Sequence, residues 1–289
     1  MSQIRGATVL VTGGAIGLGR LFAEKCLDEG ARRVVLWDIN EQNLARTTEE
    51  LRRMSHTVDS YIVDVASPDE IDRAASSVLD EMGPPDVLCN NAGIVVGRAF
   101  HEHVAGEIEK TIRINVLGVM HVARAFLPAM IRRGSGHIVN VASAAGYLPN
   151  PKMSVYAASK WAVLGWSESL RIELERMSGN LHVTTVTPSY INTGMFDGVK
   201  APLLTPILEP ERIVSQMIQG VKRDKILVRA PFMVRLLPIL RGILPARAFD
   251  FIAGRLFGVY SGMDSFVGRP RSQAVPDKSE LVESDRMKL

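Results

Sequence analysis

Cysteine is scarce. The 289-residue chain holds two, Cys26 and Cys89, both inside strongly patterned segments. That excludes a disulfide framework and favours buried, reduced thiols. No His/Cys cluster has metal-ligand spacing, so no metal site is expected. The net charge of +3 is too small to argue for a nucleic-acid partner. No apolar run reaches the ~20 residues that span a bilayer, and the opening "MSQIRGATVL" has no signal-peptide shape. A cytoplasmic location is the expectation.

What is present is a regular alternation of strand and helix patterns. Strands are expected at 7–13, 33–38, 60–65, 86–93, 136–143, 182–188 and 225–230, and the intervening runs read as helices, the longest at about 104–133. Alternation of this kind implies right-handed crossovers and a parallel sheet covered on both faces. The strands are nearly continuous in Val, Ile and Leu, as doubly buried parallel strands are. The expected architecture is therefore a Rossmann-type, doubly wound α/β domain of about seven strands, covering 1–271. Within it, 190–224 forms a substrate-binding lid region and 231–271 an apolar, basic helical extension. A polar tail, 272–289, is expected to fray.

The first strand runs into "TGGAIGLGR", with Gly13, Gly17 and Gly19 in the spacing TGxxxGxG. Glycines there let the backbone approach a pyrophosphate, and the following helix offers free N–H groups at its positive end. An ordinary glycine-rich turn has the same composition, but the position between strand and helix favours dinucleotide binding. Asp38 ends the second strand, placed to accept from a ribose 2′-hydroxyl and to repel a 2′-phosphate. Ile16, Ile39 and Asn40 provide no compensating base nearby, so NAD is expected in preference to NADP.

In "SVYAASKWAVLGW" a tyrosine and a lysine, Tyr156 and Lys160, stand four residues apart on a helical pattern and so share one face. A free phenol has a pKa near ~10, and a neighbouring ammonium favours its ionised form.

The glycine spacing, "NNAG" (90–93), Asn115, Ser143 and YxxxK (156–160) together resemble the short-chain dehydrogenase/reductases over residues 7–193. The resemblance implies a catalytic tetrad. Tyr156 exchanges a proton with the substrate hydroxyl. Lys160 assists ionisation and holds the cofactor ribose, Ser143 binds the substrate oxygen, and Asn115 supports a water that links the lysine to solvent. It also implies cofactor contacts from Gly13, Ala15, Ile16, Gly17, Leu18 and Gly19, from Asp38, from Asp64 and Val65 at the adenine, and from Asn91, Ala92 and Gly93 on the ribose side. Pro188, Ile191 and Thr193 are implied at the nicotinamide. One departure is Ser189, where the family usually has glycine.

The substrate is expected over Tyr156, between the loop after Ser143 and the segment after Pro188. Those stretches supply Ala145, Tyr147, Leu148, Met153, Tyr190, Met195, Phe196, Leu203 and Leu204, almost without fixed charge, which suits a lipophilic alcohol or ketone. The run "YINTGMFDGVKAPLLTPILEPERIV" and the tail beyond it resemble the retinol dehydrogenase and hydroxysteroid dehydrogenase branch, implying a retinoid, steroid or long-chain alcohol. Those relatives generally carry a hydrophobic N-terminal anchor, whereas this chain begins almost at its first strand.

Between Lys225 and Arg271 eight Lys/Arg face only Asp250 and Asp264. Two readings of that segment stay open: a peripheral membrane contact, or a lid and subunit contact whose arginines point to water. Its apolar surface implies a homodimer or homotetramer. Two alternative functions fit the same motifs: NADPH-dependent carbonyl reduction on the same scaffold, and a cofactor-binding scaffold without turnover. The intact Ser143, Tyr156 and Lys160 argue against the latter.

Overall fold

Seven apolar runs form one parallel sheet in a computed structural model that describes residues 2–177 and 179–269. The strands are β1 (Thr8–Thr12), β2 (Arg33–Asp38), β3 (Val58–Ile62), β4 (Val87–Asn90), β5 (Ser135–Val141), β6 (Asn180–Pro188) and β7 (Leu227–Ala230). Their order is β3-β2-β1-β4-β5-β6-β7, and every neighbouring pair is parallel. The chain winds outward from β1 in one direction and from β4 in the other. The crevice beyond the carboxyl ends of β1 and β4 is therefore the switch point where doubly wound sheets bind ligands.

Burial on both faces explains the continuous apolar runs. Val9 and Val11 of β1 face a core built with Phe22, Leu36, Ile213 and Met217. Leu10, between them, faces the opposite core with Trp37, Phe126, Met130 and Ile138. The helices on the first side are α1 (Gly17–Asp28), α2 (Glu41–Arg53) and, later in the chain, Pro210–Lys222. The second side carries α3 (Pro68–Met82), α4 (Ala105–Ile112), α5 (Val119–Arg133) and α6 (Ser154–Glu175). In chain order Pro210–Lys222 is α7, followed by α8 (Phe232–Ile243) and α9 (Ala246–Asp250). Cys26 and Cys89 are free and buried.

Two local differences from the sequence expectation have physical causes. The third strand, expected at 60–65, is Val58–Ile62: it pairs with β2 from Val34↔Val58 to Asp38↔Ile62, so its ladder ends where β2 ends. The long helical run is continuous through a π-helical stretch, Arg113–Gly118, between α4 and α5. Contrary to the expectation of no spanning run, the helix Ala105–Arg133 is long and apolar enough to cross a membrane. Its apolar side chains are spent elsewhere, since Val122, Phe126 and Met130 pack in the core.

Arg235, Arg247 and Arg255 of the extension are exposed, while Arg241 reaches back to the body. Arg241 stacks 4.4 Å from the Trp161 ring centre and donates to the Tyr147 carbonyl at 2.9 Å. Phe232, Ile239 and Ile243 stand exposed on α8. The expected frayed tail, 272–289, and the last two residues of the 231–271 extension lie outside the described residues.

Candidate active site

The glycine loop is shaped by its neighbours. A Cβ on Gly13 would stand 2.9 Å from Ala92 Cα, and one on Gly19 would stand 2.2 Å from the Gly13 carbonyl. Only glycine lets these backbones meet. Asn91 secures the loop from the side, its amide donating to the Thr12 and Gly13 carbonyls at 3.1 Å each. The Thr12 hydroxyl in turn accepts from the Asn91 and Ala92 N–H groups. The Asn91 side chain thus braces the loop. Ile16 precedes α1 in an extended conformation and provides no side-chain cap. The first N–H groups of that helix are left for an anion.

Asp38 sits at the end of β2 with both carboxylate oxygens fixed. One accepts from Ala15 N at 3.1 Å and the other from Asn40 N at 3.0 Å. Burial raises its pKa, opposed by those hydrogen bonds and by the charge of Arg269. Ala15 contributes to this site through its backbone, being itself wholly buried.

One cleft at the sheet's carboxyl edge brings most of the expected cofactor residues together. It is lined by Gly13, Ile16, Leu18, Asp38, Asp64, Val65, Asn91, Ala92 and Gly93, then by Ser143, Tyr156, Lys160, Pro188, Ile191 and Thr193, with Met195 and Phe196. A second, mainly apolar cavity adjoins it, lined by Ala145, Leu148, Asn150, Met153, Tyr190 and Phe196, with Met233, Val234 and Leu237 from α8. Ser143, Ser189 and Phe196 border both spaces.

Three expected substrate residues fall elsewhere. Tyr147 packs with Leu164 and Val234, and its hydroxyl accepts from Arg229 Nε at 3.3 Å. Leu203 and Leu204 are 61% and 60% exposed. The segment carrying them turns outward, with Leu204 at a positive φ of 62°.

Three of the four candidate catalytic residues, Ser143, Tyr156 and Lys160, line the cleft, and Asn115 is buried behind it. Ser143 caps the turn after β5, accepting from Ala145 N at 3.2 Å, and its hydroxyl stands near enough to the Tyr156 phenol to favour ionisation. Lys160, 4% exposed, donates to the Val141 carbonyl at 2.9 Å. Burial drives its pKa down to about 8. Burial also drives Tyr156 up to about 12, with Ser143 pulling the other way and Tyr190 adding to the rise. Loss of hydration is the largest cause of the rise in the protein without cofactor. Asn115, in the π-helical stretch, binds both Ile94 N and Ile94 O at 2.9 Å and donates to Ser159 Oγ at 3.0 Å. Ser159 Oγ donates in turn to the Tyr156 carbonyl at 2.6 Å.

Two participants had no usable signal in the sequence. Ser159 is an unremarkable serine within a helical run. Arg269 lies over two hundred residues from the glycine loop in the chain, yet lines the cofactor cleft beside it.

A parallel sheet with a glycine turn at its switch point and a Ser/Tyr/Lys cluster at its rim defines a nicotinamide-dependent oxidoreductase. The family model for short chain dehydrogenases matches residues 7–203, and the chain belongs to that family. It falls in the retinol/hydroxysteroid branch and is an oxidoreductase acting on CH–OH groups with a nicotinamide cofactor. Epidermal retinol dehydrogenase 2 of Mus musculus is 36% identical over 273 residues, covering 93% of this chain and 88% of its own. Estradiol 17-beta-dehydrogenase 11 of Rattus norvegicus is 34% identical over 257 residues, covering 88% and 85%. Among solved structures, a short chain dehydrogenase/reductase from Burkholderia phymatum in complex with NAD superposes with a TM-score of 0.75 at 27% identity, over 87% of this chain and 96% of that one.

Proposed function

We propose that the protein oxidises a lipophilic alcohol, of the retinoid, steroid or long-chain class, with NAD as hydride acceptor. The observation that carries this is the junction. Ser143 and Phe196 border both the polar cleft suited to a dinucleotide and the apolar cavity. Tyr156 lines the cleft and packs with Ala145, Met153 and Tyr190 of that cavity. A carbinol at this junction has its carbon toward the cleft and its apolar body in the cavity.

The residues present fit the cofactor. The loop at Gly13 and Gly19 has no room for side chains, the N-terminus of α1 lacks a side-chain acceptor, and Asp38 is held at the strand end for a ribose. When bound, the nicotinamide supplies the hydride-accepting carbon. The Ser143 hydroxyl would hold the substrate oxygen, and the Tyr156 oxygen, once ionised, would take the hydroxyl proton. Burial keeps that phenol protonated in the protein alone. Proton acceptance therefore requires positive charge beyond that of Lys160, which the oxidised cofactor would supply. Lys160 also holds the ribose hydroxyls, and Asn115 positions the loop carrying Gly93. The side chains of α8 that line the cavity make the extension its lid.

A second reading, NADPH-dependent reduction of a ketone, draws on the same protonated Tyr156, already an acid in the resting protein. The test is a panel of retinol, hydroxysteroids and medium-chain alcohols followed by NADH absorbance, with dissociation constants for NADH and NADPH. Turnover of a lipophilic alcohol and tighter NADH binding are expected. Tyr156→Phe should lower kcat by about 10²–10⁴ while leaving NADH binding nearly unchanged. Silence across the panel at high enzyme concentration rules out the alcohol class, and a tenfold preference for NADPH reverses the cofactor assignment.

A further inference from the structure

The chain beyond α9 turns back across the molecule and ends its described course over the glycine loop. Its path is packed at each step. Met263 is buried against Tyr156 and Tyr190, and Phe266 lies so close to Gly97 that a Cβ there would meet its ring at 2.2 Å. The Asp197 carbonyl accepts from Val267 N at 2.8 Å and from Gly268 N at 3.1 Å. The next residue, Arg269, enters the cofactor cleft. One guanidinium nitrogen is 3.7 Å from the point a Cβ would occupy on Gly17, and Thr193 Cβ is 3.6 Å from the same point.

Among the described residues the guanidinium has no close hydrogen-bonding or ion-pair partner there. Its Nε is buried and makes no hydrogen bond. Asp38 and Asp197 act on it through their charge, but neither forms an ion pair with it within 4 Å among the described residues. Without Arg269 the charged groups lining the cleft are Asp38, Asp64 and Lys160, a net negative wall for a ligand that is itself an anion. A half-buried guanidinium with an unpaired Nε, above a glycine loop and a helix N-terminus, has the charge and donor geometry of a phosphate-binding group.

We propose that Arg269 binds the pyrophosphate of the dinucleotide, clamping it against the glycine loop from the C-terminal side. This rests on the dinucleotide reading of the cleft. The pyrophosphate rather than a 2′-phosphate is the partner, because the contact is with Gly17 and Thr193, while the ribose position is faced by the Asp38 carboxylate.

The test compares wild type, Arg269→Gln and Arg269→Lys in the full chain, by titration calorimetry with NADH, NADPH, ADP and adenosine. Wild-type NADH binding tests the cleft itself, so its failure is separable from failure of the clamp. Arg269→Gln should weaken NADH, NADPH and ADP alike by about 10- to 100-fold and leave adenosine unchanged, with Arg269→Lys between. Thermal melting without cofactor should stay close to wild type, which separates lost contact from lost fold. Unchanged NADH and ADP affinity in the glutamine variant overturns the proposal, as does a loss confined to NADPH, which would assign the charge to a 2′-phosphate.

Discussion

The Lys160 ammonium lies 5.6 Å from the centre of the Tyr156 ring while donating to the Val141 carbonyl at 2.9 Å. It is anchored at the end of β5, beside the phenol but bonded elsewhere. Both groups are buried, and burial penalises the charged form of each. Tyr156 is consequently pushed up to about 12 and Lys160 down to about 8. The site at rest is closer to a neutral phenol beside a weakened cation than to a ready base.

The first consequence concerns Tyr156. Subtracting the tyrosinate absorbance titration of Tyr156→Phe from that of wild type should give an ionisation near 12 without cofactor. Saturating NAD should move it downward, because added positive charge favours the phenolate. Holding the phenol neutral also links to stability. The folded state keeps a proton that the unfolded chain releases near ~10, so this contribution is full below that pH and is lost as pH rises toward 12. An ionisation below 9 in the cofactor-free protein would mean that the lysine alone suffices.

Lys160 carries the opposite sign. Its folded pKa lies below the unfolded value, so the unfolded state binds more protons between about 8 and 10.5, and stability rises with pH across that window. Keeping the ammonium buried at neutral pH costs about 3 kcal/mol. In Lys160→Met that cost is removed, offset by a Val141 carbonyl left without its donor. The wild type should therefore gain stability relative to the variant by roughly 2 kcal/mol between pH 7 and 10, read from urea unfolding midpoints. A flat difference would show that burial does not weaken the charge. The variant should also bind NADH more weakly at every pH.

How far the sequence carried these conclusions depended on distance along the chain. The strands were legible because doubly buried β-runs are continuous in Val, Ile and Leu, and β1 is buried at every residue. The glycine loop and the Tyr156/Lys160 pair were legible because their spacing is local. Asn91 lies on the loop after β4 and lines the cleft, but that its amide grips the Thr12 and Gly13 carbonyls had no signal in the sequence. Side-chain direction of that kind follows from tertiary packing, not from spacing. Tyr147 turned to Arg229 for the same reason. Arg269 was illegible altogether, since only the return of the C-terminal segment past Gly97 and Asp197 brings it to Gly17.

Asn115 is the residue whose expected and observed roles can be separated most cleanly. As the relay residue of the resemblance, its removal should alter proton movement. In the structure its side chain joins two elements, gripping Ile94 after β4 and Ser159 on α6, and Ser159 holds the Tyr156 carbonyl. Asn115→Ala leaves buried donors and acceptors at Ile94 and Ser159 unpaired, at about 1–3 kcal/mol for each group left unsatisfied. The expected outcome is a loss of about 3–5 kcal/mol in stability, with weakened NADH binding because the Gly93 loop is no longer held. If the side chain acts only as this clamp, kcat measured at saturating cofactor keeps the wild-type pH profile. A displaced profile, with stability and NADH affinity intact, would instead put the side chain in the path of the proton.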